Sequence, residues 1–178
     1  MQTHLALLRG INVGGRNRVA MADLRKVVES LGHTDVATYI QSGNVIFSSG
    51  VKNTTALATD LERAIATALG VRPRVVVLAR AELAKVMKAN PYPDEPNPKL
   101  VHAIFLTGKP TAAQRSDIKA VQAKAEQLGS RDTVSVVDRT LYLHTPDGYG
   151  NSVLAELLAR GKANAEVWFR DGSLVSWI

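Results

Sequence analysis

The sequence predicts an α+β protein built from two βαββαβ units, which we interpret as an internal duplication. Short apolar runs rich in β-branched residues alternate with segments in which apolar residues recur every three or four positions, as expected for strands alternating with helices. A segment with four prolines in nine residues, 90–98, separates the two halves. The pattern HxxxLxG occurs at residues 4–10 and again at residues 102–108, at the start of each predicted unit.

The first predicted unit covers residues 1–80. Its elements in chain order are a strand at 5–8, an amphipathic helix over 24–31, strands at 35–40 and 44–48 joined by a turn at 41–43, a helix over 57–69 and a strand at 74–79. Gly32 and Gly70 are expected to end the two helices, because glycine adopts the left-handed conformation common just after a helix. Thr54 or Thr55 is the expected N-cap of the second helix.

Residues 81–100 are predicted to form a short helix and a Pro-rich linker, and residues 101–178 form the second unit. The elements of that unit are a strand at 101–106, a helix over 111–128, strands at 133–137 and 140–144, a helix over 152–159 and a strand at 166–169. Thr111 and Gln114 have the spacing of a capping box at the start of the first of these helices.

With right-handed crossovers, each βαββαβ unit becomes a ferredoxin-like antiparallel sheet that has its helices on one face. The other face also needs cover, because residues 5–8 and 103–106 are apolar on both alternating sides. We therefore expect the two units, or two chains, to pack their open faces together.

The composition excludes several classes of protein and of functional site. The content of 46% hydrophobic and 21% charged residues is that of a globular protein and excludes a disordered chain. The chain has zero cysteines, which excludes disulfides, thiolate nucleophiles, iron–sulfur clusters and Cys-type zinc sites. The four histidines lack metal-binding spacing, and the serines lack a G-x-S-x-G setting, so we predict neither a metal nor a serine nucleophile.

The chain is basic, with 22 Lys and Arg against 16 Asp and Glu and a net charge of +6, which permits an acidic partner. No apolar run is long enough to cross a bilayer, and the apolar stretch at the N-terminus is too short for a signal peptide. We therefore expect a cytoplasmic protein with no membrane partner.

The most unusual segment is RGINVGGRNR at residues 9–18, between the first strand and the first helix. Glycine lets backbone N–H groups approach a ligand, and arginine offers a planar fork for phosphate or carboxylate. The segment is neither a Walker A loop nor G-x-G-x-x-G. Residues 9–26 hold five cationic side chains against one carboxylate, which is most of the excess positive charge.

Topology brings this loop close to other polar residues. In the predicted sheet the end of the first strand, the turn at 41–44 and the start of the fourth strand, with Arg72 and Arg74, share one edge. We therefore predict an electropositive concavity for phosphate or nucleic-acid backbone. The candidate ligand-binding residues are Arg9, Gly10, Asn12, Gly14, Gly15, Arg16, Asn17, Arg18, Gln41, Ser42, Gly43 and Asn44.

Other interpretations remain open at this point. The loop can equally be a solvated connection whose glycines only satisfy a difficult turn. A second glycine loop, DGYGNS at residues 147–152, leads into a helix and is either an anion site or a turn with an N-cap. RNA-recognition motifs stack bases on aromatics of their first and third strands, and here only Phe47 is available.

Two motifs make the chain recognisable. LLRGINVGGRNRV at residues 7–19 and TYIQSGNVIF at residues 38–47 closely resemble the DUF1697 family of bacterial proteins of unknown function, and NPYP at residues 90–93 extends the likeness. The resemblance implies a two-unit α+β fold with motif-bearing loops, and it implies no substrate. The family's C-terminal motifs are altered here: Val153 stands at a lysine position, and only Arg170 and Val175 remain of a later motif.

The prediction is therefore a binding protein for a phosphate-bearing ligand, a nucleotide or a nucleic acid, without a cofactor. One alternative is a metal-free enzyme acting on an anionic small molecule in a cleft between the units, with Asp23 or Tyr39 moving protons. Another is an assembly module that pairs through apolar sheet faces or edges. Whether the protein is an enzyme, and its oligomeric state, are left open.

Overall fold

A computed structural model of the chain describes residues 3–12, 17–39, 43–106, 108–160 and 175–177. The chain forms two compact units, Met1–Met87 and Lys88–Ile178, each with its own antiparallel sheet. The Pro-rich segment is part of the second unit, and the short helix that precedes it closes the first. The α+β class is the one predicted, and so is the order of the strands and α-helices up to residue 160.

The first unit contains a four-stranded sheet in the order β2-β3-β1-β4, with every neighbouring pair antiparallel. Its elements are β1 (His4–Arg9), α1 (Met21–Ser30), β2 (Thr34–Tyr39), β3 (Asn44–Ser48), α2 (Thr54–Leu69), β4 (Arg74–Ala79) and α3 (Arg80–Lys88). β1 is a central strand, so its position sets the register of both its neighbours.

The second unit has the same strand order, β6-β7-β5-β8, also antiparallel. Its elements are β5 (Val101–Phe105), α4 (Ala112–Gln127), β6 (Thr133–Val137), β7 (Thr140–His144), α5 (Val153–Arg160) and β8 (Val175–Trp177). The predicted last strand at 166–169 lies outside the described residues, and the strand beside β5 is β8. Descent of the two units from one ancestor stays a prediction, because a shared strand order alone does not show it.

A core lies between each sheet and its helices. In the first unit, Ala6, Leu8 and Phe47 of the sheet pack with Leu24 of α1 and Leu61 of α2, and all five are almost fully buried. In the second unit, the corresponding core is formed by β5, β7, α4 and α5; its buried members are Ile104, Leu106, Ile118, Val121, Ala125, Leu141, Leu143, Leu154, Ala155 and Leu158. The apolar spacing of α1, α2, α4 and α5 therefore identifies their buried sides, whereas α3 has no buried residue.

The face of the first sheet opposite its helices is buried as well. Leu5 and Leu7 of β1 and Val76 and Leu78 of β4 alternate with the helix-facing residues, and none is more than 6% exposed. This confirms the prediction of a first strand that is buried on both sides. What packs against this face stays a prediction.

Helix termini follow local side-chain chemistry. Thr111 and Gln114 form the predicted capping box at the start of α4. The prediction for α2 was wrong by one or two residues, because its N-cap is Asn53, whose side-chain oxygen accepts hydrogen bonds from the backbone of Thr55 and Ala56. Asparagine is as good an N-cap as serine or threonine, so composition alone does not separate the three candidates.

The Pro-rich segment is held against the second sheet by side chains. The Tyr92 hydroxyl lies 2.9 Å from Thr133 Oγ1 and 3.3 Å from Ser135 Oγ, both on β6. The Tyr92 ring stacks on His144 of β7, and His144 Nε2 lies 2.7 Å from Glu95 Oε2. The segment is therefore an ordered part of the second unit, whereas the sequence predicted a linker.

Two histidines enclose a buried phenylalanine in the first unit. The rings of His4 and His33 stack on Phe47, with centroids 5.5 and 4.9 Å from its ring. Burial lowers the pKa of both imidazoles; the charge of His33 lowers the pKa of His4 further, and Asp60 partly offsets the lowering at His33. The native fold therefore favours the neutral form of both rings.

We predict that the first unit loses stability as the pH falls below about 6.5, the pKa of an unperturbed histidine. Both pKa values are lowered by folding, so in this range the unfolded chain binds more protons than the native one, and the free energy of unfolding decreases until the native pKa values are passed. Urea unfolding at a series of pH values measures this dependence.

The variant His33→Gln separates this effect from other titrating groups. It removes one of the two titrations and the repulsion that lowers the pKa of His4, so its free energy of unfolding depends less on pH between about 6.5 and 5 than that of the wild type. Parallel curves for the two proteins would show that the stacked histidines do not set the pH dependence.

Candidate functional site

The end of β1, the start of β3 and the start of β4 meet at one edge of the first sheet. Arg9 is the register partner of Arg74, and Leu7 is the register partner of Asn44. The backbone N–H of Leu8 donates to the carbonyl of Gly43 over 3.2 Å. The predicted convergence of loop, turn and fourth strand is therefore what the structure shows for the residues it describes.

Four arginines lie along this region, and we call them the arginine edge: Arg9, Arg18, Arg72 and Arg74. Arg18, Arg72 and Arg74 are exposed, whereas Arg9 is half-buried. The candidate residues Gly14, Gly15, Arg16, Gln41 and Ser42 lie outside the described residues, so their part in the site stays a prediction.

Two asparagines, Asn12 and Asn17, connect the two ends of the loop between β1 and α1. The side chain of Asn12 binds the backbone of Val19 twice, donating to its carbonyl over 3.0 Å and accepting from its N–H over 2.8 Å. Asn17 Nδ2 donates to the carbonyl of Gly10 over 2.8 Å, and the Asn17 carbonyl accepts from the Asn12 N–H over 3.0 Å. Sequence reasoning missed this positioning role, and direct contact of either asparagine with a ligand stays a prediction.

The same residues accept an unusual backbone conformation. Gly10, Asn12 and Asn17 have positive φ angles of 85°, 54° and 51°. Glycine and asparagine tolerate this region better than other residues. Glycine at position 10 and asparagine at positions 12 and 17 thus have a conformational cause, and their hydrogen bonds hold Asn17 beside Gly10 and Asn12.

Gly43 allows the turn between β2 and β3 to lie close to the loop. A Cβ atom at this position would lie 2.6 Å from Ile11 Cδ1 and 3.0 Å from Leu8 Cβ, and Gly43 also has a positive φ of 86°. Ile11 is 2% exposed, so it has little room to move. Gly43 therefore serves close packing of the two backbone segments.

Two like charges are cross-strand partners at the arginine edge. Arg9 and Arg74 share one side of the antiparallel β1–β4 pair, and like charges directly opposite each other in a sheet destabilise it. The nearest carboxylate oxygen to Arg74 is Glu62 Oε2 at 3.9 Å, and the other oxygen of Glu62 accepts a hydrogen bond from the backbone of Val75. Glu62 is therefore shared between the Arg74 guanidinium and the backbone of Val75.

At the corresponding edge of the second unit, the cationic side chains form an ion pair and a hydrogen bond within the unit. There the Leu106 N–H donates to the carbonyl of Arg139 over 2.9 Å, just as Leu8 donates to Gly43 in the first unit. Lys109 forms an ion pair with Asp138 at 2.8 Å, and this hydrogen bond lowers the pKa of the Asp138 carboxyl. The Arg139 guanidinium donates to the Leu106 carbonyl. Its cations therefore have local partners.

The second glycine loop is a turn with an N-cap. Ser152 Oγ accepts a hydrogen bond from the backbone N–H of Ala155 over 2.9 Å, and the buried carboxylate of Asp132 accepts from Ser152 Oγ and from the N–H of Leu154. A carboxylate of the chain therefore already lies at the N-terminus of α5, where an external anion would bind.

The four histidines are packed against aromatic rings or paired with a carboxylate. Three imidazoles lie in stacked or buried positions, and His144 pairs with Glu95. Within the described residues, no group of three or more His, Asp or Glu side chains is arranged to hold a metal ion. None of the helices described is both long and apolar enough to cross a membrane.

A groove of about 510 Å³ lies between α4 and β6 in the second unit, lined among others by Arg115, Lys119, Gln122 and Val134. Gln122 occupies part of it, because its side-chain oxygen accepts a hydrogen bond from the outer N–H of Val134. The pocket that an enzyme would need beside the first loop stays a prediction.

Comparison with known proteins agrees with this architecture. The family model for DUF1697, described as a protein of unknown function, matches residues 1–142. The chain belongs to the DUF1697 family. The match ends at residue 142, so the altered C-terminal motifs lie outside it.

A solved structure shares the DUF1697 fold of this chain. The conserved bacterial protein SP0830 from Streptococcus pneumoniae is 22% identical, with a TM-score of 0.70, over 99% of this chain and 92% of that one. This similarity supports the fold and carries no functional assignment. No curated protein matches the sequence.

We predict that Gly43→Ala destabilises the protein more than Gly10→Ala does. Both variants place a Cβ on a residue with positive φ, which costs about 1–2 kcal/mol. Only at Gly43 does the new atom also overlap Ile11, which adds about 1–3 kcal/mol of overpacking. Denaturant unfolding of the two variants measures the difference, and equal losses would contradict the close approach of turn and loop.

Proposed function

We propose that this DUF1697 protein binds a phosphate-bearing ligand, a nucleotide or nucleic acid, at the arginine edge of its first unit. The observation that carries the proposal is the cross-strand pair of Arg9 and Arg74 on one side of the sheet. A phosphate that contacts the two arginines would accept charge-assisted hydrogen bonds from their guanidinium groups.

The fixed backbone around the pair favours binding. The loop stem is closed by the hydrogen bonds of Asn12 and Asn17, and the turn at Gly43 packs on Ile11. Arg18 therefore projects from an ordered segment, and less conformational entropy is lost when an anion binds. Arg72 and Arg74 project from the start of a strand, which is similarly ordered.

Comparison of the two units supports the assignment to the first. The two edges have the same strand arrangement, but the described cations of the second edge are engaged by Asp138 and by a backbone carbonyl. At the first edge, Arg9 and Arg74 are cross-strand partners, and Glu62 Oε2 lies 3.9 Å from Arg74. Enzymatic action on an anionic small molecule and assembly through sheet faces stay predictions without a specific observation in their favour.

We predict that binding of a fluorescein-labelled, mixed-sequence single-stranded oligonucleotide weakens steeply with salt. Each neutralised phosphate contributes a slope of about −0.7 to the plot of log K against log [salt] for single strands. Arg74→Gln and Arg18→Gln are expected to weaken binding at low salt and to reduce the slope by about one contact each. Fluorescence anisotropy over a salt series measures both quantities.

Arg139→Gln is the matched control, because it removes an arginine at the equivalent edge of the second unit. Its affinity and salt slope should match those of the wild type. Pyrophosphate and a nucleoside triphosphate, tested by thermal shift, extend the assay to small ligands, since a ligand that binds only the native state raises the melting temperature. The proposal would be overturned if the protein bound neither the oligonucleotide nor the small ligands. It would also be overturned if Arg74→Gln and Arg139→Gln lost the same amount of affinity.

A further inference from the structure

The edge strand β6 of the second sheet has one unpaired side. β6 is outermost in the order β6-β7-β5-β8, and within the described residues it pairs with β7 alone. Successive residues of an edge strand in an antiparallel sheet direct their backbone groups alternately towards the neighbour and away from it. The N–H of Val134 points away from β7, since it donates to Gln122 Oε1 of α4. The backbone groups of Val136 therefore point outwards too, and a further strand can pair at these two residues.

β6 lacks the usual features that keep strand edges from pairing. Charged residues, prolines and bulges are common protections. In the first sheet the corresponding edge strand, β2, has a register shift between Thr34 and Ala37, where Asp35 has a φ of 53°. β6 has the sequence TVSVV, without charge or proline, and keeps one register along its whole length. Its protection in the described structure is the side chain of Gln122.

The groove beside this edge is lined by one stripe of α4. The lining positions of the helix are three or four residues apart, which places them on one side. They are Arg115, Ile118, Lys119, Gln122, Ala123 and Glu126. The groove also includes Val134 and Val136, which are half-buried and pack on the core. Neither Arg115 nor Lys119 forms an ion pair with another described residue.

The stripe is complementary to itself when it is reversed. Its six members lie symmetrically about the point midway between residues 120 and 121, so two antiparallel copies of α4 aligned at that point bring the members together in pairs. The pairs are Arg115 with Glu126, Ile118 with Ala123, and Lys119 with Gln122. Each end of the interface then has an ion pair, an apolar contact lies nearer the centre, and no like charges meet.

The helix and the strand have the same centre. α4 is antiparallel to β6, because β5 and β6 both pair antiparallel with β7 and α4 is the crossover between them. The midpoint of the stripe is about 2 Å along the helix from Gln122, which binds Val134. That distance is about two-thirds of a residue along the strand and leads to Ser135. A twofold axis at Ser135 places Val134 of one strand opposite Val136 of the other, and these are the residues with outward backbone groups.

We propose that β6 and α4 form the interface of a symmetric homodimer, in which two second units join edge to edge into one continuous sheet. Val134 of each strand exchanges hydrogen bonds with Val136 of the other, and the Gln122 side chain gives up the Val134 N–H to the partner strand. The partner is a second copy because the stripe fits its own reverse. An acidic peptide would fit beside Arg115 and meet Glu126 at the other end of the groove. The interface does not depend on anion binding, which is proposed for the first unit.

Sedimentation equilibrium of the full chain over a concentration series tests the association. We expect the mass to rise from that of one chain to that of two. Val136→Pro removes an outward N–H and leaves the ladder with β7 in place, because proline is tolerated where an edge strand has no hydrogen-bonded neighbour. This variant should stay monomeric. A wild type that is monomeric at every concentration would overturn the proposal.

Charge exchange identifies the side chains that meet. Arg115→Glu and Glu126→Arg each place like charges at both ends of the interface and should raise the dissociation constant of the dimer between about fivefold and thirtyfold. The double variant restores the attraction and should dimerise like the wild type. The two positions are about 16 Å apart along α4, so rescue has no explanation within one chain. Lys124→Glu, an equal charge change at an exposed position of α4 outside the groove, is the control.

A single cysteine locates the twofold axis. The chain has no cysteine of its own, so Ser135→Cys can form a disulfide only with another copy. Opposite residues at a non-hydrogen-bonded antiparallel position have Cα atoms about 4.5 Å apart, which suits a disulfide. Thr133→Cys is the control, because two copies of residue 133 would lie about 14 Å apart across the axis. We expect a covalent dimer from Ser135→Cys at concentrations at which Thr133→Cys stays monomeric.

The outcomes decide between this interface and another. Equal cross-linking of the two cysteine variants, or a dimer that neither charge reversal weakens, would place any association on a different surface and overturn the proposal. Melting curves show whether each variant is folded. If Val136→Pro does not fold, the charge exchange and the cysteine variants decide the matter without it.

Discussion

The core of the first unit and the arrangement of its arginine edge both depend on the central position of β1 in the sheet. β1 forms hydrogen bonds with β3 on one side and with β4 on the other, so a single register aligns three strands. A shift by one residue would turn the side chains of β1 to the opposite face and remove Leu8 from the core. The burial of Ala6 and Leu8 beneath the helices therefore also places Arg9 on the opposite face of the sheet, where its register partner is Arg74. Packing in the core and the charge at the edge are two results of one register.

The two units have the same strand arrangement but different side chains at the corresponding edge of the sheet. Each sheet has a backbone hydrogen bond from a residue near the end of its first strand to the turn of its hairpin: Leu8 donates to Gly43, and Leu106 donates to Arg139. The turn of the second unit contains Asp138, which pairs with Lys109, whereas the turn of the first contains Gly43, which packs on Ile11. The backbone is thus equivalent while the electrostatics differ, which is why function has to be argued from the side chains of a site and not from the fold.

Much of this fold could be predicted from local pattern. Strands β3, β4, β6 and β7 begin and end where the sequence indicated, because β-branched runs bounded by turn residues have few alternatives. The capping box of α4 is a local feature, and the prediction was correct. The predictions that failed depend on competition or on distant contacts. Asn53 replaced two equally suitable threonines as a cap, and the Pro-rich segment is held by Thr133 and His144, which are more than 40 residues away.

The sequence by itself determined the class of fold, the order of its elements and the location of the excess positive charge, since these depend on residue type and short spacing. Only the tertiary structure decided the roles of particular residues. It showed that Asn12 and Asn17 bind the loop's own backbone and that Phe47 is enclosed by His4 and His33. The reason is physical: which side chains meet depends on strand register, and register is decided by the collective burial of residues far apart in the chain.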